Sequence, residues 1–189
     1  MGYRSIVDSL KKLLIFNRLC DLMNSTRNKN WWENMTMARA KYQVLVIPYK
    51  KVEESILYCI FKRSDMNDCW QFIAGGGEDE DKTPLVSAQR EAFEEARISS
   101  HLNFIELETK CSIATEYFKN YRTLWGEACL VIPEYCFAVE MQSEDISISH
   151  EHGGFEWVDY LTAKERLKYD SNKVALWELD NKIRLGIIN

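Results

Sequence analysis

The segment from Gly75 to Ile98, GGGEDEDKTPLVSAQREAFEEARI, constrains the fold of this chain more than any other. Three consecutive glycines follow an apolar stretch and lead, through an acidic run, into a stretch of helix-compatible residues. Glycine lets the backbone come close to a ligand such as a phosphate group. The segment therefore predicts a strand, a glycine loop and a helix in direct succession.

The predicted helix runs from Pro84 to Ala96. Thr83 suits the N-cap, and proline suits the first helical position, where the missing N–H costs nothing. One side of this helix carries an apolar stripe that is expected to pack on a sheet, and two further apolar residues lie near the back and can face a second apolar surface. The stripe comprises Leu85, Ala88, Ala92 and Ala96, and the residues at the back are Val86 and Phe93.

Three carboxylates lie next to this apolar stripe. At about 100° per residue, Glu91, Glu94 and Glu95 share an arc of about 100° on the helix surface. Such an arc is often only a solvated acidic face. Here, however, the carboxylates border a packed surface and follow a glycine loop, and hard oxygen ligands beside a phosphate-sized gap suit Mg²⁺ or Mn²⁺. We therefore favour a metal site.

This segment resembles the Nudix box, in which G, five residues, E and seven residues precede REUxEExGU, where U is a bulky aliphatic residue. The positions that match this pattern are Gly76, Arg90, Glu91, Glu94, Glu95 and Ile98. The resemblance identifies the chain as a Nudix hydrolase. It implies an α/β fold of the Nudix type, an α/β/α sandwich around a mixed β-sheet.

Two positions depart from the box, and one residue is smaller than the pattern prefers. Lys82 stands in place of the first glutamate, Arg97 in place of the late glycine, and Ala92 in place of a larger aliphatic residue. Lys82 can contact a substrate phosphate, and the carboxylates of residues 78–81 can compensate for the missing glutamate. Arg97 either adopts a left-handed conformation at a cost of about 1–2 kcal/mol or ends the helix differently. Reduced activity is compatible with these departures, but they do not require its loss.

The resemblance also implies a mechanism, the metal-assisted hydrolysis of a diphosphate linkage. Glu91, Glu94 and Glu95 would bind one to three Mg²⁺ or Mn²⁺ ions, which neutralise phosphate charge and activate the attacking water. Arg90 would orient Glu91 through a charge-assisted hydrogen bond. The substrate would meet the glycine loop and the loop–helix junction, at Gly75, Gly76, Gly77 and Lys82.

Short motifs outside the box are similar to those of dihydroneopterin triphosphate diphosphatases and related (d)NTP pyrophosphohydrolases. In that subgroup a glutamate of an E-H site also reaches the metal, and Glu151 matches it. The general base stays open between Glu91 and Glu151. The motifs are Trp70-Gln71-Phe72, Glu134-Tyr135-Cys136-Phe137, Glu151-His152 followed by Phe155 and Trp157, and Asp170-Ser171-Asn172.

Each of these outlying residues also has a purely structural interpretation. Glu151 can be an ordinary loop carboxylate, and His152 a hydrogen-bonded structural group. Trp70 and Phe137 can stack on a base or pterin, although aromatic residues in strands more often belong to the core. Asn172 can cap a helix or contact the substrate.

The remaining sequence alternates between strands and helices around a single mixed sheet. A charged turn between the first two strands predicts a hairpin. The segment Tyr117–Trp125 reads as a loop, in which Lys119 and Arg122 either meet phosphate or are solvated. The other predicted strands are Tyr42–Lys50, Ser55–Arg63, Trp70–Ala74, Phe104–Thr115, Leu130–Met141 and Gly154–Val158, and the other helices are Thr162–Leu167 and Ser171–Ile183.

We divide the chain into an N-terminal extension, residues 1–36, and a Nudix domain, residues 37–189. Apolar residues recur at helical spacing over residues 4–23, and residues 24–34 form a polar, asparagine-rich linker. Such a helix packs on its own domain, on a partner or, less favourably, on a membrane surface. Alternatively, Met37 is the biological start and the extension is an upstream sequence.

Composition narrows the cellular context. A formal charge of −5 argues against a protein that coats nucleic acid, and no apolar run reaches the length of a membrane span. Six cysteines without a C-x-x-C or zinc spacing favour reduced thiols. We therefore expect a cytoplasmic protein that acts on a small phosphorylated molecule. A homodimer is compatible with the sequence.

Two rival functions stay open at this stage. One is hydrolysis of a diphosphate conjugate, such as ADP-ribose or a dinucleotide polyphosphate. The other is a non-catalytic Nudix-fold ligand sensor or interaction module, to which Lys82 and Arg97 lend some support. The intact pairs Arg90-Glu91 and Glu94-Glu95 favour catalysis, because a family member that has lost its activity during evolution should lose these residues first.

Overall fold

A computed structural model of the protein describes residues 39–143 and 146–188. The predicted N-terminal extension therefore lies outside the described residues. The strands are β1 (Arg39–Val52), β2 (Ser55–Arg63), β3 (Trp70–Gln71), β4 (Ile73–Glu78), β5 (Phe104–Ala114), β6 (Val131–Glu140) and β7 (His152–Val158). The helices are α1 (Pro84–Ala96), α2 (Lys119–Trp125), α3 (Tyr160–Arg166) and α4 (Asp170–Arg184), and a 3₁₀ turn (Thr115–Phe118) precedes α2.

The described strands form one mixed sheet, as predicted. The order along its main path is β3-β2-β1-β6-β5, with β4 paired to β1 and β7 paired to β2. Strands β1 and β6 are parallel, and the other pairs are antiparallel. The predicted hairpin joins β1 to β2, where Val52 pairs with Ser55.

Both faces of the sheet are covered by helices. Because successive strand residues point to opposite faces, β1 contributes to two separate cores, and its central residues are all buried. Leu45 and Ile47 pack in the core that contains α3 and α4, whereas Val44 and Val46 pack in the core that contains α1. The predicted α/β/α sandwich is confirmed. None of the described helices is long and apolar enough to span a membrane.

Helix α1 has the predicted bounds and cap. Thr83 accepts a hydrogen bond from the amide of Val86, and Pro84 occupies the first turn. Of the predicted stripe, the three alanines are fully buried against the sheet, but Leu85 is 37% exposed. Small side chains at the centre of the stripe let α1 lie close to β1 and β4.

The segment after β5 differs from its prediction. Tyr117–Trp125 was expected to be a loop, but a 3₁₀ turn and α2 occupy this region. The ring centroids of Phe118 and Tyr121 lie 4.7 and 5.3 Å from the Arg39 guanidinium, and the Trp125 indole donates to the Arg39 carbonyl at 2.7 Å. These contacts with a residue far away in sequence accompany the helical conformation, and the loop prediction was wrong.

Arg97 adopts the left-handed conformation considered from the sequence, with φ 55° and ψ 26°, at the C-cap of α1. We expect Arg97→Gly to raise the free energy of unfolding by about 0.5–1 kcal/mol. Glycine has no Cβ, so the left-handed conformation is no longer strained. Glycine also makes the unfolded chain more flexible, and this entropy cancels only part of the stabilisation. Chemical denaturation would measure the change. Arg97→Ala is the matched control, because it also removes the contact with the Phe93 ring. A glycine variant no more stable than the alanine variant would contradict the prediction.

Candidate active site

The prediction of a loop at Gly75–Gly77 was wrong, because these glycines lie within strand β4, where Gly75 and Gly76 pair with Val44 and Gln43 of β1. We keep the name glycine loop for these three residues. Side chains approach them from both faces of the strand. A Cβ added to Gly75 would collide with the carboxylate of Glu91, and one added to Gly76 would collide with the Arg39 guanidinium. At Gly77 the collision would be with the Tyr42 ring. Each glycine is therefore needed for the close approach of a neighbouring side chain, and Glu91 lies directly against the loop backbone.

Arg90 connects this loop to the carboxylates of α1. Its Nη1 donates to Glu91 Oε1 at 2.9 Å, so the charge-assisted hydrogen bond predicted from the sequence is present. The same atom donates to Glu94 Oε2 at 3.2 Å, and Nη2 donates to the Gly76 carbonyl at 2.8 Å. Arg90 therefore fixes the loop and two of the three glutamates relative to one another.

Asp81 is a further partner of Arg90 that sequence reasoning did not single out. Its Oδ2 accepts from Arg90 Nη2 at 2.9 Å and from the Ser87 hydroxyl at 2.7 Å. Burial alone would raise the pKa of Asp81, but hydrogen bonds from Arg90, the Glu78 amide and Ser87 outweigh it and lower the pKa. The sequence did contain a sign of this role: Asp81 is the residue immediately before Lys82, and Lys82 occupies the glutamate position of the box. Lys82 itself is exposed.

We expect Asp81→Asn to reduce metal-dependent turnover about tenfold, because Arg90 loses the anion that holds it in place. Breaking this partly buried pair should also lower the free energy of unfolding by about 1–3 kcal/mol. Steady-state kinetics and chemical denaturation would measure the two effects. Glu80→Gln is the control, since Glu80 is exposed in the same acidic run. The expectation fails if the two variants behave alike.

Glu95 is the most deeply placed carboxylate of the set, at 4% exposure. Its Oε2 lies 2.7 Å from Nε2 of His152, whose ring packs on Phe61 with centroids 5.0 Å apart. Burial raises the pKa of Glu95, while the hydrogen bond from His152 opposes the rise. The E-H site identified in the sequence therefore contacts α1 through its histidine.

The loop before β7 is fastened to the end of α1. The amide of Ser149 donates to the Glu95 carbonyl at 2.8 Å, and the amide of Ser64 donates to the Glu151 carbonyl at 2.9 Å. This arrangement brings Glu151 close enough for its charge to contribute to the raised pKa of Glu95. Glu151 is itself exposed, so its carboxylate is accessible beside Glu95.

Glu91 has a raised proton affinity. Burial raises its pKa to about 7, and repulsion from Glu95 and Glu94 adds to the rise, whereas Arg90 opposes it. Among the described residues no three carboxylate, histidine or cysteine side chains converge on one point. Glu91 and Glu94 turn to Arg90, and Glu95 turns to His152. Carboxylate oxygens are ligands that Mg²⁺ prefers, and a cation would offset the repulsion that Glu94 and Glu95 exert on Glu91. The donor set therefore suits a divalent cation by its chemistry, although these side chains turn to Arg90 and His152 in the metal-free protein.

The other predicted substrate contacts lie on the opposite face of the sheet from α1. Trp70 packs against the core beneath α3 and α4, and the Arg166 guanidinium lies 4.0 Å from the centre of its ring. Asn172 is 2% exposed, and its Oδ1 accepts from the Phe72 amide at 2.8 Å. The structure thus groups the glutamates with the glycine loop and places Trp70 and Asn172 across β4 from them.

Several solved protein structures have the same fold as this chain. A Listeria monocytogenes protein assigned as a Nudix hydrolase is 35% identical to this chain, with a TM-score of 0.68 over 77% of this chain and 95% of that one. The Escherichia coli dihydroneopterin triphosphate pyrophosphohydrolase is 22% identical, with a TM-score of 0.62 over 77% and 99%. A Caenorhabditis elegans Ap4A hydrolase is 16% identical, with a TM-score of 0.58 over 76% and 97%. The last two share the fold alone.

The family comparison covers most of the chain. No curated protein matches it. The model of the NUDIX domain, however, matches residues 41–177, a range that contains the glycine loop, all of α1 and the E-H site. Together with the Listeria protein, this match shows that the chain belongs to the Nudix hydrolase family.

Proposed function

We propose that this Nudix hydrolase cleaves a diphosphate linkage in a nucleoside triphosphate or a pterin triphosphate, releasing pyrophosphate and a monophosphate. The observation that carries the proposal is the group of partly buried glutamates that Arg90 fixes beside the glycine loop. The E-H site and the other subgroup motifs favour a triphosphate. The fold shared with the Escherichia coli dihydroneopterin triphosphate pyrophosphohydrolase is consistent with that choice.

The residues that would hold Mg²⁺ or Mn²⁺ are Glu91, Glu94 and Glu95, with Glu151 as an additional ligand. When bound, the cation would neutralise phosphate charge and promote attack of water at phosphorus. Arg90 would keep Glu91 oriented, and His152 would keep Glu95 oriented by the contact described above. The backbone of Gly75 to Gly77 would lie along the phosphates, and exposed Lys82 would offset part of their charge.

The reaction also needs a general base that accepts a proton from the attacking water. A group that takes up a proton near neutral pH needs a pKa close to that range. Glu91 and Glu151 are the two candidates. Burial raises the pKa of Glu91 to about 7 in the metal-free protein, and a bound cation would lower it. Glu151 is exposed, so its carboxylate is accessible to water.

A diphosphate conjugate is the second candidate substrate. The fold shared with the Caenorhabditis elegans Ap4A hydrolase is compatible with a dinucleotide polyphosphate, and ADP-ribose would use the same catalytic groups. A non-catalytic sensor is less favoured, because Arg90 and the three glutamates of α1 retain their mutual contacts. Asp81 also gives Arg90 a carboxylate partner although Lys82 replaces the glutamate of the box.

Product analysis by phosphorus NMR tests this proposal. The purified chain with Mg²⁺ would be given dihydroneopterin triphosphate, common and oxidised (d)NTPs, ADP-ribose and diadenosine polyphosphates, and Glu95→Gln would be run in parallel. We expect pyrophosphate from a triphosphate and none from the variant. Cleavage of a diphosphate conjugate alone would discard the triphosphate assignment. No turnover of any of these compounds with Mg²⁺ or with Mn²⁺ would favour the non-catalytic sensor.

A further inference from the structure

A buried carboxylate on β6 has no role in the chemistry described so far. Glu134 is 1% exposed, and its Oε1 accepts a hydrogen bond from Gln43 Nε2 at 3.0 Å. Its Oε2 is also buried and has no hydrogen-bond partner among the described residues. Burial raises the pKa of Glu134, and side-chain hydrogen bonding from Ser171 and Gln43 opposes the rise. The Ser171 hydroxyl is therefore near Glu134, but it does not meet Oε2 in hydrogen-bond geometry. An unsatisfied buried acceptor is costly, so a ligand that supplies a donor would bind with a clear advantage.

The amide of Gln43 has a defined orientation. Arg39 Nη2 donates to Gln43 Oε1 at 3.4 Å, and the opposite end of the amide donates to Glu134. The Nε2 atom carries two protons and uses one of them for Glu134, which leaves the second for a ligand. Glu134 and Gln43 therefore present an acceptor and a donor side by side.

This pair lies close to the glycine loop, Gly75–Gly77. Gln43 on β1 is in register with Gly76 on one side and with Glu134 on the other, so the three residues form one row across the sheet. At about 4.8 Å per strand, Glu134 lies roughly 10 Å from the glycine loop, within reach of the ring of a nucleotide or pterin whose phosphates lie on that loop.

The residues around the buried pair are only partly covered. Gln43, Ala74 and Trp70 of the sheet and Ser171 of α4 are half-buried, although helices pack on this face of the sheet. Strand β4 pairs with β1, and its other edge is unpaired within the described part of the chain. A substrate with its phosphates beside Glu91 on one face would have to pass this edge to place its ring beside Glu134 on the other.

We propose that Glu134 and Gln43 recognise the 2-amino lactam edge that guanine and pterin rings share. The ring N–H and the 2-amino group would donate to the Glu134 carboxylate, and the free proton of Gln43 would reach the adjacent ring carbonyl. Adenine presents a ring acceptor at the position of that N–H, so it would leave the buried carboxylate unpaired. The assignment rests on the proposed function, because it narrows the triphosphate substrate to guanine or pterin compounds.

Binding rather than turnover tests this inference. Isothermal titration of the full chain with Mg²⁺ would compare the α,β-methylene analogues of GTP, ITP and ATP, since inosine lacks only the 2-amino group. We expect the GTP analogue to bind at least about tenfold more tightly than the other two. Equal affinity for the GTP and ITP analogues, or no binding of any analogue, would overturn the inference. Loss of hydrolysis with this preference intact would instead count against the proposed function alone.

Two variants and one control make the test specific. Glu134→Gln has nearly the same shape but one acceptor fewer, and we expect its preference for GTP over ITP to shrink to about twofold or less. Gln43→Leu should weaken GTP relative to ATP, which covers the case in which Glu134→Gln fails to fold. Glu106→Gln, at an exposed position of β5, should leave both ratios unchanged. Unchanged ratios in both site variants would contradict the proposal.

Comparing the affinities of a guanine and a pterin compound distinguishes the two kinds of ring. Guanosine monophosphate and dihydroneopterin monophosphate carry the same ring edge but differ in the size and shape of the ring system. The compound that binds more tightly identifies which of the two rings Glu134 and Gln43 recognise. Loss of affinity for both in Glu134→Gln is expected, and retention of both would overturn the shared recognition.

Discussion

Replacing Glu95 by glutamine is expected to lower metal-dependent turnover by a factor on the order of 10³, because the cation would lose the negative charge of the most deeply buried of its proposed ligands. Glu95 is 4% exposed and is held by His152 at 2.7 Å, so water or a neighbouring side chain cannot easily take its place. The Glu94 side chain is 54% exposed, and Glu94→Gln should therefore cost less, about tenfold to a hundredfold.

Kinetics at saturating Mg²⁺ with unfolding curves for each variant would test this order. Burial already raises the pKa of Glu95, so a neutral glutamine should not unfold the metal-free protein. Glu165→Gln, at an exposed position of α3, serves as the matched control. A Glu95→Gln enzyme with more than a tenth of the original turnover would remove Glu95 from the proposed metal ligands.

The second large effect concerns the stability of the metal-free protein. Burial raises the pKa of Glu91 to about 7 in the folded state, above the ordinary glutamate value near 4.3 that applies to the unfolded chain. The folded state therefore binds this proton more tightly. The resulting stability is fully present below the unfolded pKa and is lost as the pH rises through about 7, by an amount on the order of 3 kcal/mol.

Glu91→Gln should remove this loss, because its side chain is neutral at every pH in the range. Chemical denaturation in the presence of a chelator, from pH 4.5 to 8.5, would compare wild type, Glu91→Gln and the exposed-site control Glu127→Gln. We expect the Glu91→Gln variant to be more stable than wild type at pH 8 and to be less stabilised by added Mg²⁺. Parallel pH profiles for wild type and Glu91→Gln would show that Glu91 is not desolvated in solution.

Local patterns predicted the elements that surround the site. Thr83 and Pro84 fix where α1 begins, because capping depends on neighbours within one turn. Arg97 takes the left-handed conformation, one of the two helix endings that the sequence left open. The loop prediction failed for Tyr117–Trp125, where Phe118, Tyr121 and Trp125 make their contacts with Arg39. A contact across more than 70 positions of sequence leaves no periodic signal in the segment that makes it.

The sequence by itself determined the family, the mixed sheet between two helical layers and the angular spacing of Glu91, Glu94 and Glu95, since helical geometry fixes that spacing. Only the tertiary structure decided which partners and which protonation these carboxylates have. Asp81 reaches Arg90, and His152 reaches Glu95, through contacts between separate elements. The raised pKa of Glu91 depends on its burial and on the surrounding charges. Desolvation and through-space charge depend on which distant residues pack together, and spacing along one helix does not specify that packing.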